Sequence, residues 1–286
     1  MKVRFEGAMG AIELSSTRAP YVLTAIDGLG GADGQIYSTQ TPLKDGAVMT
    51  ACAARPRTIT ISGAIVGDDN ARAELRRALT RGANAKAGEG ILTIEAYGRV
   101  RRIGAAVERG PVFTEDEGEG VGYQEFTYTL YCPQPFFESA ERSEQAMATR
   151  DGGLKFPLKL KSRFSARHNA SRYKYVNGGD VPCAIEAEIS AGASAPTLKN
   201  VNTGEYVRVR REIPAGRKLI ITTGFNEKDV YLLNPASGEK TDAMGYLDLQ
   251  STFFELQPGE NLLNFTADEG TNTSVTVRWR EKFNGF

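Results

Sequence analysis

Residues 57–66 read RTITISGAIV, and this stretch decides how the first half of the chain folds. Apolar and polar side chains alternate along it, which places Ile59, Ile61 and Ile65 on one face and the threonines and the serine on the other. A repeat of two residues is the period of a strand that is buried on one side. We therefore expect a strand with one face in a hydrophobic core and the other in solvent.

The segment after this strand predicts a short helix. Asp68 and Asp69 are suited to cap the free N–H groups of its first turn, and Gly82 is suited to end it. Apolar residues recur between them at helical spacing and predict a narrow stripe that covers the sheet. The residues of this stripe are Ala71, Leu75, Ala78 and Leu79.

Alternation returns between residues 91 and 107 and predicts a hairpin. The parity of the apolar positions changes in its second strand, because Val100 is even-numbered whereas Ile103 and Val107 are odd-numbered. A β-bulge inserts one residue and shifts the parity in this way. We therefore expect a bulge near residues 101–102.

Three further segments of the first half alternate in the same manner: residues 3–5, 20–26 and 123–132. The second of them places Tyr21, Leu23 and Ala25 on one side. The third is expected to close the first sheet.

The segment between residues 28 and 49 is rich in turns. Its first four residues, GLGG, do not fit a dinucleotide-binding fingerprint, because Asp33 occupies the place of the last glycine and no strong helix follows. We interpret them as a loop. Residues 36–49 predict an exposed arm or hairpin of the kind that reaches a neighbouring molecule.

The second half contains short strands separated by turns, with no convincing amphipathic helix. This pattern predicts an antiparallel sandwich of the jelly-roll type, with Trp279 in its core. The candidate strands are residues 184–189, 206–209, 219–223, 230–233, 246–249, 262–266 and 274–280.

The length of 286 residues predicts two domains. A polar stretch follows two prolines near residue 135 and marks the boundary. We expect a first domain at residues 1–138, a linker or extended segment at 139–172, and a second domain at 173–286. The fold class is mainly β with one helix (α+β).

The charge balance bears on the partners. Lys plus Arg and Asp plus Glu each number 35, whereas a protein that binds phosphate backbones is normally basic. No apolar run approaches the ~18 residues of a membrane span, and the first residues lack the apolar core of a signal peptide. We expect synthesis in the cytoplasm, with neither nucleic acid nor membrane as a partner.

Residue types that carry chemistry are sparse. Cys52, Cys132 and Cys183 are interpreted as small buried hydrophobes rather than disulfide or metal ligands. The single histidine, His168, excludes a multi-histidine metal site and a histidine-dependent triad. The acidic residues 115–119 lack the spacing of a calcium loop and predict a solvated hairpin tip. We predict no catalytic residue, no cofactor and no metal.

Several segments, taken in order, resemble the distal tail proteins of siphovirus-type phage tails, and the resemblance spans nearly the whole chain. Those in the first half are RTITISG (57–63) with the helix after it, GEGILT (88–93), GRVRR (98–102) and CPQPFF (132–137). Those in the second half are NGGDVP (177–182), NTGE (202–205) and FFELQPGEN (253–261).

This resemblance implies an N-terminal belt domain that assembles into a hexameric ring, or a pair of stacked rings, and a galectin-like C-terminal sandwich. The ring would join the tail tube protein to the baseplate, and it would serve as a platform for the tail-tip hub protein and receptor-binding proteins. Strands that expose edges in the first half would be covered by neighbours in the ring, because a closed ring satisfies every edge.

A carbohydrate-binding module or host-surface adhesin is the first alternative. It would need an aromatic platform, and strand alternation places several of the candidates in the core instead. The candidates are Tyr231, Tyr246, Phe253 and Phe254.

A wall hydrolase with paired carboxylates is the second alternative, since such chemistry needs only two acidic residues at a defined separation. Acids such as Glu125 and Glu186 fall on the polar sides of predicted strands. Solvated strand faces account for them better than an active site does.

Overall fold

The computed structural model describes residues 1–114, 119–120, 123–148, 171–268 and 273–286. The chain forms two compact units, Met1–Ala140 with Phe283–Phe286 and Glu141–Lys282. Both units are built mainly of antiparallel strands, and the described residues contain one α-helix. The segment 149–170, with His168, and the acidic residues 115–118 lie outside the described residues.

The elements of the first unit follow the chain with short connections. They are β1 (Lys2–Gly7), β2 (Gly10–Ser15), β3 (Tyr21–Asp27), β4 (Gly34–Thr39), β5 (Val48–Ala54), β6 (Arg57–Val66), α1 (Asp69–Gly82), β7 (Glu89–Ala96), β8 (Arg99–Phe113), β9 (Glu119–Gly120), β10 (Tyr123–Cys132) and β11 (Phe137–Ser139).

Seven of these strands form a closed barrel. Their order is β8-β7-β1-β2-β3-β6-β10, and β10 pairs with β8 to complete the circle. The expectation that this half exposes strand edges for neighbours to cover is therefore wrong for most of the barrel, because its long strands pair with one another. The exception is the junction of β2 and β3, which one residue pair, Ser15 with Val22, joins. Among the described residues, the other edges that remain belong to two-residue strands at the ends of the sheet and to β4 and β5, which form a separate two-stranded sheet.

The barrel interior is filled by the apolar face that the alternation predicts. Ile59, Ile61 and Ile65 of β6 are fully buried, and Phe126 and Tyr128 of β10 pack beside them in the same core. The two strands pair in register along their whole length. One hydrophobic core thus stabilises the first unit.

Helix α1 begins where the sequence predicts, since the side chain of Asp68 accepts a hydrogen bond from the backbone N–H of Ala71 at 2.8 Å. Leu79 is buried in the barrel core. Gly82 lies so close to β2 that a Cβ would stand 2.7 Å from a side-chain carbon. Ala71 and Ala78 are exposed, whereas Leu75 packs against the core, so the helix covers the barrel mainly through Leu75 and Leu79.

The predicted bulge near residues 101–102 is wrong. Strand β8 pairs with β7 without a register shift from its first residue through Ala106. The buried odd-numbered positions begin at Arg101, while Val100 is exposed. The guanidinium of Arg101 is buried because it lies 3.7 Å from the ring centroid of Phe283 and donates a hydrogen bond to a backbone carbonyl oxygen.

Strand β3 also departs from simple alternation. Leu23 is buried as predicted, but Ala25 is exposed. The pairing of β3 with β6 shifts register between these two residues, which turns Ile26 toward the core instead.

The second unit is a sandwich of two antiparallel sheets. The six-stranded sheet has the order β12-β21-β14-β17-β18-β19, and the four-stranded sheet has the order β13-β20-β15-β16. The strands are β12 (Ser143–Ala148), β13 (Ser171–Asn177), β14 (Ile185–Ile189), β15 (Thr197–Asn200), β16 (Tyr206–Arg208), β17 (Lys218–Gly224), β18 (Glu227–Leu233), β19 (Lys240–Asp242), β20 (Gly259–Thr266) and β21 (Ser274–Trp279). The last strand of the chain is β22 (Lys282–Phe283).

Buried side chains of both sheets form the sandwich core. Trp279 is buried as predicted, and its ring lies 5.6 Å from that of Tyr175 on the opposite sheet. The predicted strand at residues 246–249 is wrong: Met244–Tyr246 is a short 3-10 helix. The pattern misleads because the polar Asp248 is the buried residue there, while the apolar Leu249 is 99% exposed.

The two units differ from the predicted domains at two places. Part of the expected linker forms β12 in the six-stranded sheet of the second unit. The residues Phe283–Phe286, expected in the second domain, group with the first unit. The segment belongs there because Phe283 contacts Arg101 and Phe286 contacts Phe137, both of the first unit.

Candidate assembly interface

The most exposed apolar surface of the first unit is a hairpin, here called the arm, formed by β4, β5 and the turn between them at residues 40–47. Its two strands pair antiparallel and join no other sheet. The turn carries Leu43 and Gly46 with positive φ angles of 63° and 88°. The sequence predicts this exposed hairpin correctly.

The arm has no core of its own. Every residue of β5 is exposed, and Ile36, Val48 and Met49 are exposed by 65%, 68% and 61%. A two-stranded hairpin is marginally stable in water unless a further layer covers it. Contiguous apolar surface of this kind marks an interaction site.

The arm also lacks the charges that normally protect a strand edge. Between residues 34 and 54, the charged residues are Lys44 and Asp45, and both lie in the turn. Natural proteins place charges or prolines on exposed strands to prevent pairing with other chains. The strands of the arm are therefore suited to pair with, or pack against, another polypeptide.

The arm is anchored to the barrel by Arg57, which is the first residue of β6. One terminal nitrogen of Arg57 donates hydrogen bonds to the carbonyl oxygens of Gly28 at 2.9 Å and Gly30 at 2.7 Å. The other donates to the carbonyl oxygen of Asn284 at 2.7 Å. Burial lowers the pKa of this guanidinium, yet an arginine remains charged at neutral pH.

The cysteines do not share one environment. Cys132 and Cys183 are buried as predicted, but Cys52 is exposed on β5, because the arm offers no core in which to bury it. Burial raises the pKa of the Cys132 thiol to about 12. The thiolate is the reactive form, so the arm carries the accessible thiol of the chain.

In the native but unassembled chain, we expect a thiol reagent to modify one cysteine rapidly at neutral pH, and all three after denaturation. Ellman's reagent gives the count by absorbance. The Cys52→Ser variant should reduce the rapid native count to zero, whereas Cys132→Ser should leave it at one. A rapid native count of two would contradict the burial of the remaining cysteines.

In the second unit, the NGGDVP segment closes the sandwich through Asn177. Its amide nitrogen donates to the carbonyl oxygens of Val181 and Leu256, both at 3.0 Å. Its amide oxygen accepts from the backbone N–H of Gly179 at 2.9 Å. The conformation leaves no room at Gly179, where a Cβ would stand 2.3 Å from the carbonyl oxygen of Lys282.

The outer face of the six-stranded sheet carries charges that neutralise one another. Arg278 contacts Glu144 at 2.7 Å and Glu188 at 3.0 Å, and Lys218 contacts Glu188 at 2.5 Å. The hydrogen bond from Lys218, together with Arg278, lowers the pKa of Glu188. This face therefore offers compensated rather than free charge to a partner.

The four aromatic residues considered for a sugar platform have different environments. Phe254 is buried, and Phe253 packs against the sandwich core. The ring of Tyr231 has the Lys240 ammonium 4.7 Å from its centroid. The ring of Tyr246 similarly has the guanidinium of Arg211 at 4.4 Å.

The two acids considered for hydrolysis belong to different units. Glu125 is exposed on β10 of the first unit, and Glu186 forms ion pairs with Arg142 and Arg278 in the second. Within the part of the chain that the structure describes, no group of three or more His, Cys, Asp or Glu residues is placed to hold a metal. The helices in that part include none long and apolar enough to cross a membrane.

The second unit matches a known family. Residues 178–283 match the family model described as "Siphovirus-type tail component, C-terminal domain". A comparison with curated proteins gives no match. This part of the chain is therefore similar to the C-terminal domain of a phage tail component.

Comparison with solved structures extends this likeness to the complete fold. The Dit (gp 19.1) protein of phage SPP1 is similar with a TM-score of 0.67 and 14% identity, over 98% of this chain and 99% of that one. A chain of the phage P2 baseplate in its activated conformation with Ca is similar with a TM-score of 0.55 and 10% identity, over 100% and 99%. The chain therefore shares the fold of a distal tail (Dit) protein, and residues 178–283 carry the family's C-terminal domain.

Sequence reasoning missed two residues that shape the first unit, Arg57 and Arg101. Both are buried, and both occupy inward positions of strands whose pattern is otherwise apolar. The parity change at Val100 was the available signal for Arg101, because a buried arginine restores the alternation without a bulge.

Proposed function

We propose that this chain forms a hexameric ring at the distal end of a phage or phage-like tail. The ring joins the tail tube protein to the baseplate or tail-tip hub protein, and it carries the receptor-binding proteins. The role is structural and uses no cofactor. The support is the family match of the second unit together with the fold that the chain shares with a Dit protein and a baseplate chain.

The arm is the observation that carries this proposal. The barrel pairs its own long strands except at the junction of β2 and β3, so it leaves little backbone edge through which the chain could associate. The arm instead presents two strands without charged residues and with exposed apolar side chains that no layer covers. A head-to-tail contact, in which the arm of each subunit packs on the next subunit, closes into a ring when the rotation between subunits allows it.

The test is the particle formed by the purified protein. We expect six-membered rings in negative-stain images and a mass of six chains by light scattering. Val48→Asp should convert the ring to a monomer, because a charge introduced on the apolar arm must be desolvated when the arm packs on the next subunit. A wild-type monomer at high concentration would contradict the proposal.

Leu249→Asp is the matched control. It makes the same kind of change at an apolar side chain that is 99% exposed in the second unit, so it should leave the ring intact. The reactivity of Cys52 gives a second readout. A thiol reagent should modify Cys52 rapidly in the Val48→Asp monomer and slowly in the wild-type ring, where the arm is covered. Equal modification rates in both states would exclude the arm from the contact.

A further inference from the structure

Phe283–Phe286, here called the return segment, lies in the first unit and is held there by its backbone as well as its rings. The N–H of Phe286 donates to the carbonyl oxygen of Leu29 at 2.9 Å. The side-chain oxygen of Asn284 accepts from the N–H of Ala32 at 3.1 Å. These bonds join the segment to the loop that precedes β4.

The two phenylalanine rings of the segment lie close to the buried guanidinium of Arg101. The guanidinium of Arg101 lies 3.7 Å from the ring centroid of Phe283 and 5.9 Å from that of Phe286. The same guanidinium donates to the carbonyl oxygen of Gly285. Phe286 also meets the ring of Phe137 edge-on, with centroids 6.2 Å apart.

The glycine cluster at residues 28–31 makes room for this segment. A Cβ on Gly285 would stand 3.1 Å from the backbone of Gly30, and a Cβ on Gly31 would stand 3.2 Å from the side chain of Asn284. Contacts at these distances require two backbones that approach closely, which is the use of glycine away from turns. The cluster thus has a role that its sequence alone does not reveal.

The receiving loop is also the base of the arm. Ala32 lies two residues before β4, and Arg57 lies three residues after the end of β5. The bond between the N–H of Arg55 and the carbonyl oxygen of Asp33, 2.8 Å long, closes the arm at this point. Through Arg57 and Ala32, the return segment is therefore bonded to both sides of the base.

We propose that residues 28–32, Arg57, Arg101 and Phe137 form a binding site for a Phe-Asn-Gly-Phe segment, and that this chain fills it with its own return segment to fix the direction of the arm. The occupant is specified by two phenylalanine rings near the Arg101 guanidinium, by an asparagine that reaches Ala32, and by a glycine against Gly30. We call the return segment bound in this site the latch. The latch holds the base of the arm whether or not the arm then packs in a ring.

Hydrogen exchange on the full chain tests the latch directly. In Phe286→Ala and Asn284→Ala, we expect the amides of residues 28–34 and 52–57 to exchange about tenfold faster, because their partners open locally without unfolding the barrel. Those of β7 should keep the wild-type rate. Unchanged exchange at the arm base in both variants would overturn the proposal.

Phe225→Ala is the matched control, because this phenylalanine is 67% exposed in the second unit and its loss should change neither segment. A synthetic peptide of residues 280–286 supplies the segment in trans. Added to the full-length double variant Phe283→Ala/Phe286→Ala, it should restore slow exchange at the arm base, whereas a peptide with Phe283 and Gly285 exchanged should not. Failure of the correct peptide, or equal rescue by both, would contradict a specific site.

The latch and the ring have separable outcomes. If wild-type chains are monomeric but their arm base is protected by the return segment, the ring proposal fails and the latch stands. If rings form equally well and the arm base exchanges equally slowly in Phe286→Ala, the latch fails and the ring stands.

Discussion

Replacement of Arg57 by methionine is expected to lower the free energy of unfolding of the first unit by about 3 kcal/mol. Three carbonyl oxygens, those of Gly28, Gly30 and Asn284, receive hydrogen bonds from its guanidinium. A buried polar group that loses its partner costs about 1–3 kcal/mol. Methionine fills similar space but donates nothing, so the loss measures the hydrogen bonds more than the packing.

Arg57→Lys should recover only part of this loss, because one ammonium cannot reach carbonyls on separate segments as a planar fork does. Arg55→Met is the matched control, since Arg55 is exposed two residues earlier. Denaturant unfolding followed by far-ultraviolet circular dichroism gives the free energies. Equal stabilities of Arg57→Met and Arg55→Met would show that the buried fork contributes nothing.

Trp279 allows the two units to be followed separately. It is the single tryptophan of the chain and lies in the core of the second unit. Its fluorescence reports the unfolding of the sandwich. If Arg57→Met lowers the stability of the barrel alone, the Trp279 fluorescence transition should keep its wild-type denaturant midpoint.

Alternation of apolar and polar residues was enough to predict the strands that bury one face. The strand at residues 57–66 and the strand at 123–132 have the bounds and buried faces that the sequence indicates. The signal is local, because a period of two places every second side chain on the same face. The signal predicts which face of each strand is buried, but it does not predict which strand pairs with it.

Barrel closure depends on information that is not local. Strand β8 is 15 residues long and pairs with β7 along its first part and with β10 along its second, with two irregularities opposite β10. Nothing in the residues 107–113 distinguishes this second pairing from a solvent-exposed edge. The expectation of open edges failed for this reason.

The assembly surface was only partly predictable. The turn-rich composition of residues 36–49 indicated an exposed arm, but the site for the return segment joins residues of β6, β8 and β11 with a loop. Each of these strands and the loop contributes one side chain or a few carbonyl groups to the site. None of them has a sequence pattern that indicates a binding site by itself. Such a site is visible only when the distances between these elements are known.

Replacement of Asn177 by alanine should have the largest effect on the second unit, a loss of about 3–4 kcal/mol in its free energy of unfolding. Asn177 is 1% exposed, and its side chain makes bonds to the backbones of Gly179, Val181 and Leu256. Alanine leaves the carbonyl oxygen of Val181 and the N–H of Gly179 without this partner, and each loss carries a desolvation cost of about 1–3 kcal/mol. The carbonyl oxygen of Leu256 loses one bond but still accepts from the N–H of Cys183. The effects overlap because the groups share one loop, so the sum falls below the upper limit.

Val176→Ala is the matched control, since it shortens an exposed side chain on the same strand and should cost less than about 1 kcal/mol. Asn177→Asp separates hydrogen bonding from volume: it preserves the acceptor for Gly179 but removes the amide donors and introduces a buried charge. It should therefore destabilise the sandwich at least as much as alanine at neutral pH. Trp279 fluorescence measures all three variants, and an Asn177→Ala midpoint equal to that of Val176→Ala would mean that the side chain of Asn177 does not hold the loop.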